Sequence, residues 1–145
     1  MSLVEFLSQK GYTQIWLSKN AVGHFQTNGF LNERKISVLI DTGASSTIFS
    51  FDVVKEMNLS TNKISALGGG AGAAKMEIYQ IHEAHFALEE FTPHVRMLLA
   101  MDLSHVNGAL KLKGAVPIEA VLGIDILESH SAVIDYESNS LFLKI

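Results

Sequence analysis

The residues best suited to chemistry are Asp41-Thr42-Gly43. They are delivered by the apolar run Val38-Leu39-Ile40 and followed by Ala44-Ser45-Ser46-Thr47. An apolar, β-prone run of this kind reads as a strand buried on both faces. It carries the Asp carboxylate to the end of a rigid element. Gly43 lets the backbone turn there without a Cβ penalty. Thr42 adds a hydroxyl on a stiff, branched side chain that can lock the loop. A carboxylate held in this way suits acid–base chemistry on a peptide bond. The same residues also fit a strand that merely ends in an Asx-type turn. The context favours chemistry, because a second stretch, Ala120-Val121-Leu122-Gly123-Ile124-Asp125-Ile126-Leu127, joins an apolar strand and a glycine to a short helical pattern.

Together these stretches resemble the retropepsin-like aspartic proteases, in particular their bacterial and cellular single-lobe members. The resemblance runs from about Gly23 to Ile145. It implies an all-β fold: a closed, ψ-loop β-barrel lobe with short helices, including one at the N-terminus and one after Gly123. Leu39-Ile40 and Val121-Leu122-Gly123 would cross to support the catalytic loop. It also implies an aspartic endopeptidase, in which two carboxylates share a site and like-charge repulsion keeps one protonated and one ionised. The ionised group activates water, and the protonated group polarises the scissile carbonyl. This chain has a single Asp-Thr-Gly. Asp125 falls in the expected helix, and Asp102 and Asp135 lack a following Thr-Gly. The second Asp41 must then come from another copy across a two-fold axis.

The implied site is therefore a homodimer with Asp41, Thr42 and Gly43 as catalytic residues. Thr42 would lock the two loops, and Gly43 would position substrate backbone. Ala44, Ser45, Gly69, Gly70, Ala71 and Val121 are the candidate substrate-binding residues. The partners are the chain itself and an extended peptide added as a strand, with no metal and no cofactor. Cleft walls from Ile40, Ile48 and Val121 would favour hydrophobic side chains. Viral relatives carry acidic residues after Asp-Thr-Gly-Ala and an Arg after the second glycine. Here Ser45, Ser46 and Ile124 stand in those places, so the dimer is expected to be held differently. Ala44 replaces the Ser of pepsin-like enzymes, which removes a hydroxyl donor to the carboxylate and points to an optimum at mildly acidic to neutral pH. The alternative is a non-catalytic dimerisation or peptide-binding module on the same fold.

The whole chain agrees with this reading. Its 145 residues suffice for one domain with a real core. Apolar residues make up 48% and charged residues 18%, as in a folded globular protein. The net charge of −4 argues against nucleic acid as a partner. The absence of cysteine excludes a disulfide framework and thiol catalysis. No basic stretch precedes a long apolar run at the N-terminus, and no window approaches a membrane span. A cytoplasmic protein without a membrane segment is expected.

Local signals divide the chain further. Residues 1–145 read as one aspartic protease domain with a helical extension over 1–11. Ser2 and Glu5 form a capping box, Leu3, Phe6 and Leu7 an apolar face, and Gly11 a stop. That helix packs on the lobe or supports the dimer. Tyr12–Leu17 reads as a strand, and Gly23-His24-Phe25 begins the next, with Asn28-Gly29 as a turn before Arg34–Ile40. His24 reads as a polar strand position. Ser45, Ser46 and Thr47 lie near the substrate or bond locally within the turn. Ser50 caps a helix over Phe51–Met57, and Asn58 ends it.

The glycine-rich stretch Leu67–Lys75 is no phosphate loop, since Ala74 stands where Gly is needed and Met76 where Ser or Thr is needed. The stretch suits a mobile β-hairpin tip or a disordered surface loop, and the resemblance implies a flap over the cleft at residues 63–79. His82 and His85 face opposite ways on a strand, which argues against a metal pair. Val95–Met101 reads as a buried strand, and Asn107–Gly114 as a loop or short helical insertion. Asp102, Ser104 and His105 supply triad residue types, but they are too close in sequence for triad geometry. Asp125–His130 reads as a helix, and Ala132–Tyr136 and Leu141–Ile145 as strands. Leu141-Phe142-Leu143 either knits two subunits or pairs within one sheet.

Overall fold

Apolar alternation, caps and turn residues cut the chain into short elements. A computed structural model describes residues 1–67 and 76–145. The first elements are α1 (Leu3–Gln9), β1 (Tyr12–Trp16), β2 (Ser18–Lys19), β3 (Phe25–Leu31) and β4 (Arg34–Ile40). Next come β5 (Ile48–Ser50), α2 (Phe51–Glu56), β6 (Thr61–Leu67) and β7 (Met76–Ile81). Then β8 (Phe86–Leu88), β9 (Leu98–Met101) and α3 (Ser104–Leu112) lead to β10 (Ala120–Leu122), α4 (Ile124–Ser129), β11 (Val133–Asp135) and β12 (Ser140–Lys144). The mostly-β architecture with short helices, one N-terminal and one after Gly123, is as expected.

The caps work as the sequence indicates. The Ser2 hydroxyl accepts the Glu5 N–H at 3.1 Å, and the Ser50 hydroxyl accepts the Val53 N–H at 3.5 Å. Each satisfies a backbone donor that the helix itself leaves free. Asn58 ends the region of α2 in the left-handed conformation. On α1 only Leu7 is buried; Leu3 and Phe6 remain exposed.

The larger sheet has the order β2-β3-β4-β10-β5-β9-β7-β6, with β8 on β3. Its centre positions the site. β10 lies between β4 and β5, parallel to β4 and antiparallel to β5. Val121 stands opposite both Leu39 and Ile48, and Leu122 opposite Ile40. The chain thus leaves β4 through Asp-Thr-Gly and returns as β5, while the second apolar motif fills the gap between them. Leu39-Ile40 and Val121-Leu122, the stretches expected to support the catalytic loop, thus pair side by side at its base. Below it, Val38, Phe49, Leu122, Ile126 and Leu141 belong to one buried core. A second, smaller cluster joins Leu39 and Val121 to Leu110 of α3.

Several expectations need correction. Asn28-Gly29 is not a turn: β3 runs straight through it, paired to β4 on one side and β8 on the other. Gly29 is there because a Cβ would lie 2.9 Å from the Ala87 carbonyl oxygen and 3.1 Å from Val38. The reversal occurs instead beyond Leu31, where Asn32 adopts φ +53°. The strand expected over Val95–Met101 is confined to Leu98–Met101, and Arg96 and Met97 are exposed. The insertion after it is a true helix, α3, whose Leu110 is buried. β12, with Leu141-Phe142-Leu143, pairs on both sides within the chain, with β1 and β11. Its hydrogen-bonding edges are therefore taken by its own sheet. β6 and β7 pair as antiparallel arms from Thr61↔Ile81 to Leu67↔Met76. Gly69, Gly70 and Ala71 lie outside the described residues. No helix among the described residues is long and apolar enough to cross a membrane.

Candidate active site

Asp41 stands at the exit of β4, where its N–H donates to the Leu122 carbonyl at 3.0 Å. The backbone then turns tightly. The Gly43 N–H donates to Asp41 Oδ1 at 2.8 Å, and the Ala44 N–H to the Asp41 carbonyl at 3.2 Å. One carboxylate oxygen is thereby held by the loop, which orients the other. The Ala44 carbonyl accepts the Ile124 N–H at 2.8 Å, stitching the loop to the start of α4.

A polar clamp closes the far end of the loop. The Thr47 hydroxyl donates to Asp125 Oδ1 at 2.7 Å, and the Thr47 N–H donates to Oδ2 at 3.0 Å. The Gly123 N–H donates to the same Thr47 hydroxyl oxygen at 3.0 Å, and the Ile126 N–H donates to Asp125 Oδ1 at 2.9 Å. Thr47 is buried, so each of these partners replaces water that cannot reach it. Gly123 permits the approach: a Cβ would meet the Ala44 carbonyl oxygen at 2.7 Å and the Ser46 carbonyl at 2.8 Å.

Beside Asp41 opens a cavity of about 790 Å³. Its walls are mainly apolar, with Phe25, Leu39, Ile40, Val106 and Ile134 among them. Asp41 and Thr42 face it from the loop. His24, His105 and Lys113 line it as well, and among the described residues Asp41 is its single acid.

Asp41 and Thr42 line the cavity, with Gly43 adjoining, and Thr42 and Gly43 are exposed on the loop. Ser45 is exposed, and Ala44 packs against the second apolar cluster. Val121 is buried in that cluster and does not line the cavity; it backs Leu39 from the neighbouring strand. Of the expected walls, Ile40 faces the cavity, whereas Ile48 is paired between Val121 and Leu99. His24, read as a plain strand position, precedes β3 and faces the cavity.

Sequence reasoning missed two elements of the site. Asp125 was expected only as a helical residue, and it is the clamp on Thr47 across a separation of 78 residues. No local pattern signals that pairing. The cavity wall from α3 has no sequence signal either: the segment reads as a loop or short helical insertion, with nothing to place it against Asp41.

A family model for aspartyl proteases matches residues 27–126. The chain belongs to the aspartyl protease family. Among solved structures it is similar to a retropepsin-like aspartic protease from Rickettsia conorii, at 18% identity and a TM-score of 0.59, covering 91% of this chain and 90% of that one. It is also similar to the retroviral protease-like domain of Ddi1 from Leishmania major, at 16% identity and a TM-score of 0.55, covering 83% and 87%. These likenesses are of fold, and the fold is retropepsin-like. In sequence the chain is 26% identical over 117 residues to the DNA damage-inducible protein 1 of Neurospora crassa. That match covers 79% of this chain and 24% of the relative, so this aspartyl protease chain spans about a quarter of that protein's length.

Proposed function

We propose that the protein is an aspartic endopeptidase that works as a homodimer. The observation that carries this reading is the Asp41 loop. Its carboxylate is oriented by the Gly43 N–H at the end of a buried strand and opens on an apolar cavity. Among the described residues that cavity holds no second acid. A two-fold axis beside Thr42 supplies one. Thr42 and Gly43 are exposed, and Thr42 also borders a shallow groove of about 440 Å³ with Ile124, Leu127, Ala132 and Ile134. That surface receives the second copy.

In the dimer, the ionised Asp41 takes a proton from water as the water attacks the scissile carbonyl carbon. The protonated Asp41 of the other copy donates a hydrogen bond to the carbonyl oxygen. Collapse of the tetrahedral intermediate breaks the C–N bond, with a proton passing to the leaving amine. Thr42 locks the paired loops, and Gly43, Ala44 and Ser45 face the substrate backbone. Residues 63–79, which take in most of β6 and β7, serve as the flap, and Gly69, Gly70 and Ala71 are the substrate-binding residues assigned to it. Residues 1–11 are an extension of a single protease domain spanning 1–145.

The test is cleavage of a mixed peptide library from pH 4 to 7 at several protein concentrations, with Asp41→Asn in parallel. Activity rising faster than linearly with concentration, and lost in Asp41→Asn, is the expected result. No cleavage at concentrations where the protein is demonstrably dimeric would shift the reading to a peptide-binding module.

A further inference from the structure

Besides its apolar walls, the cavity beside Asp41 carries hydrogen-bond donors that apolar specificity does not use. The chain as a whole is acidic, with a net charge of −4. Yet this cavity collects Lys113, His105 and His24 on its walls, against Asp41 as its single acid among the described residues. Two of the three come from α3. That helix is seated by Leu110 on the apolar cluster containing Leu39 and Val121, so its position is set by the strands that carry the catalytic loop. Asn107 adds a second anchor: its Nδ2–H donates to the Ile118 carbonyl at 3.0 Å, and its Oδ1 accepts the Ile118 N–H at 2.8 Å.

Lys113 is the C-cap of α3 and is exposed, and it makes no ion pair among the described residues. Asp102 lies before the start of this helix and accepts the Ser104 N–H at 2.8 Å. It lies close enough to His105 to interact with it, but it sits at the opposite end of α3 from Lys113. On the facing wall, the loop before β3 is tied by Asn20, whose Oδ1 accepts the N–H groups of Val22 and His24 at 3.0 Å each. The wall that bears His24 is thus tied down by local hydrogen bonds, as α3 is by Asn107.

We propose that Lys113, with His105 and His24, selects peptides carrying an acidic side chain beside an apolar one near the scissile bond. The inference rests on the peptidase reading and names the substrate class of the same site. The apolar walls receive the hydrophobic side chain, the ammonium of Lys113 pairs with the neighbouring carboxylate, and the imidazole N–H groups donate to its free oxygens. A rim pair of this kind is partly solvated, so the preference is modest and falls with salt.

The experiment uses nine-residue peptides with a central Leu-Phe pair and Glu or Gln at each flanking position in turn. Each is prepared both as the normal amide and with the scissile amide reduced to –CH2–NH–, which binds but cannot be cleaved. For at least one position, wild type should show a Glu over Gln preference of about fivefold in kcat/KM and in binding at low salt. The preference should shrink in 0.5 M NaCl. It should collapse to about one in Lys113→Met and persist in Lys111→Met, which removes the same charge from α3 outside the cavity. An equal response to Glu and Gln at every position, or equal loss in both variants, overturns the proposal. Absence of cleavage together with Lys113-dependent, Glu-selective binding of the reduced peptides would reject the peptidase reading and keep the selectivity of the cleft. Absence of both cleavage and binding would reject both.

Discussion

Replacing Asp125 tests the architecture of the catalytic loop most directly. The carboxylate receives the Thr47 hydroxyl at 2.7 Å, the Thr47 N–H at 3.0 Å and the Ile126 N–H at 2.9 Å. Asp125→Ala removes every acceptor at once: the buried Thr47 N–H and hydroxyl hydrogen lose theirs, while the hydroxyl oxygen still accepts the Gly123 N–H. Hydrogen bonds to a charged group contribute about 1.5–3 kcal/mol each, and an unpaired buried donor costs about 1–3 kcal/mol. These values overlap, and Asp125 is only half-buried, so about 3–4 kcal/mol is a fair sum. For a chain of this size that corresponds to a fall in Tm of roughly 10 °C.

Asp125→Asn should cost less, about 1–2 kcal/mol. Its one oxygen can keep the Thr47 N–H, while its NH2 group then faces the Thr47 hydroxyl and the Ile126 N–H. The assay is thermal unfolding at one fixed protein concentration, because dimerisation would make Tm depend on concentration. Peptide cleavage should fall in the same order, wild type, Asn, Ala, as the Thr47 end of the loop loosens. A Tm for Asp125→Ala within 2 °C of wild type would refute the reasoning, as would an Asn variant less stable than the Ala variant.

Three further outcomes follow from particular contacts. Gly123→Ala forces a Cβ to within 2.7 Å of the Ala44 carbonyl oxygen, and it should cost about 3 kcal/mol or prevent folding, read from urea unfolding and soluble yield. Ala44→Ser places a hydroxyl donor beside the Asp41 loop; by favouring the ionised carboxylate it should move the acid limb of the pH–rate profile downwards, and an unmoved limb would count against the role assigned to Ala44. The Ser138 hydroxyl, at 2.6 Å, and then the Glu137 N–H hold the Asp135 carboxyl below its ordinary range. A depressed carboxyl stabilises the fold above its unfolded pKa of about 3.9 and loses that contribution as the pH falls through the lower folded value. The drop in Tm between pH 6 and pH 3 should therefore be smaller in Ser138→Ala than in wild type.

The parts of this protein legible in its sequence are those set by local physics. Val38-Leu39-Ile40 and Val121-Leu122 are apolar enough that burial on both faces is their stable state, and their pairing follows once both must lie under one loop. Ser2, Ser50 and Asn58 act through bonds or dihedral angles within a few residues, so their roles survive without knowledge of the fold. Asp41-Thr42-Gly43 carries its own turn, because the Gly43 N–H reaches the Asp41 carboxylate two residues away.

Tertiary structure decided what depends on distant partners. Asn28-Gly29 has the composition of a turn, yet close packing against Val38 and Ala87 holds it in the middle of a strand. The segment after Asp102 reads as either a loop or a short helical insertion, and its sequence does not choose between them. It is fixed by Leu110 meeting Leu39 and Val121, and by Asn107 bridging to Ile118. The clamp of Asp125 on Thr47, and the cavity that His24, His105 and Lys113 line together with Asp41, join residues far apart in the chain. Such contacts leave no periodicity to read, because a hydrogen bond or a cavity wall depends on separation in space and not on separation along the backbone.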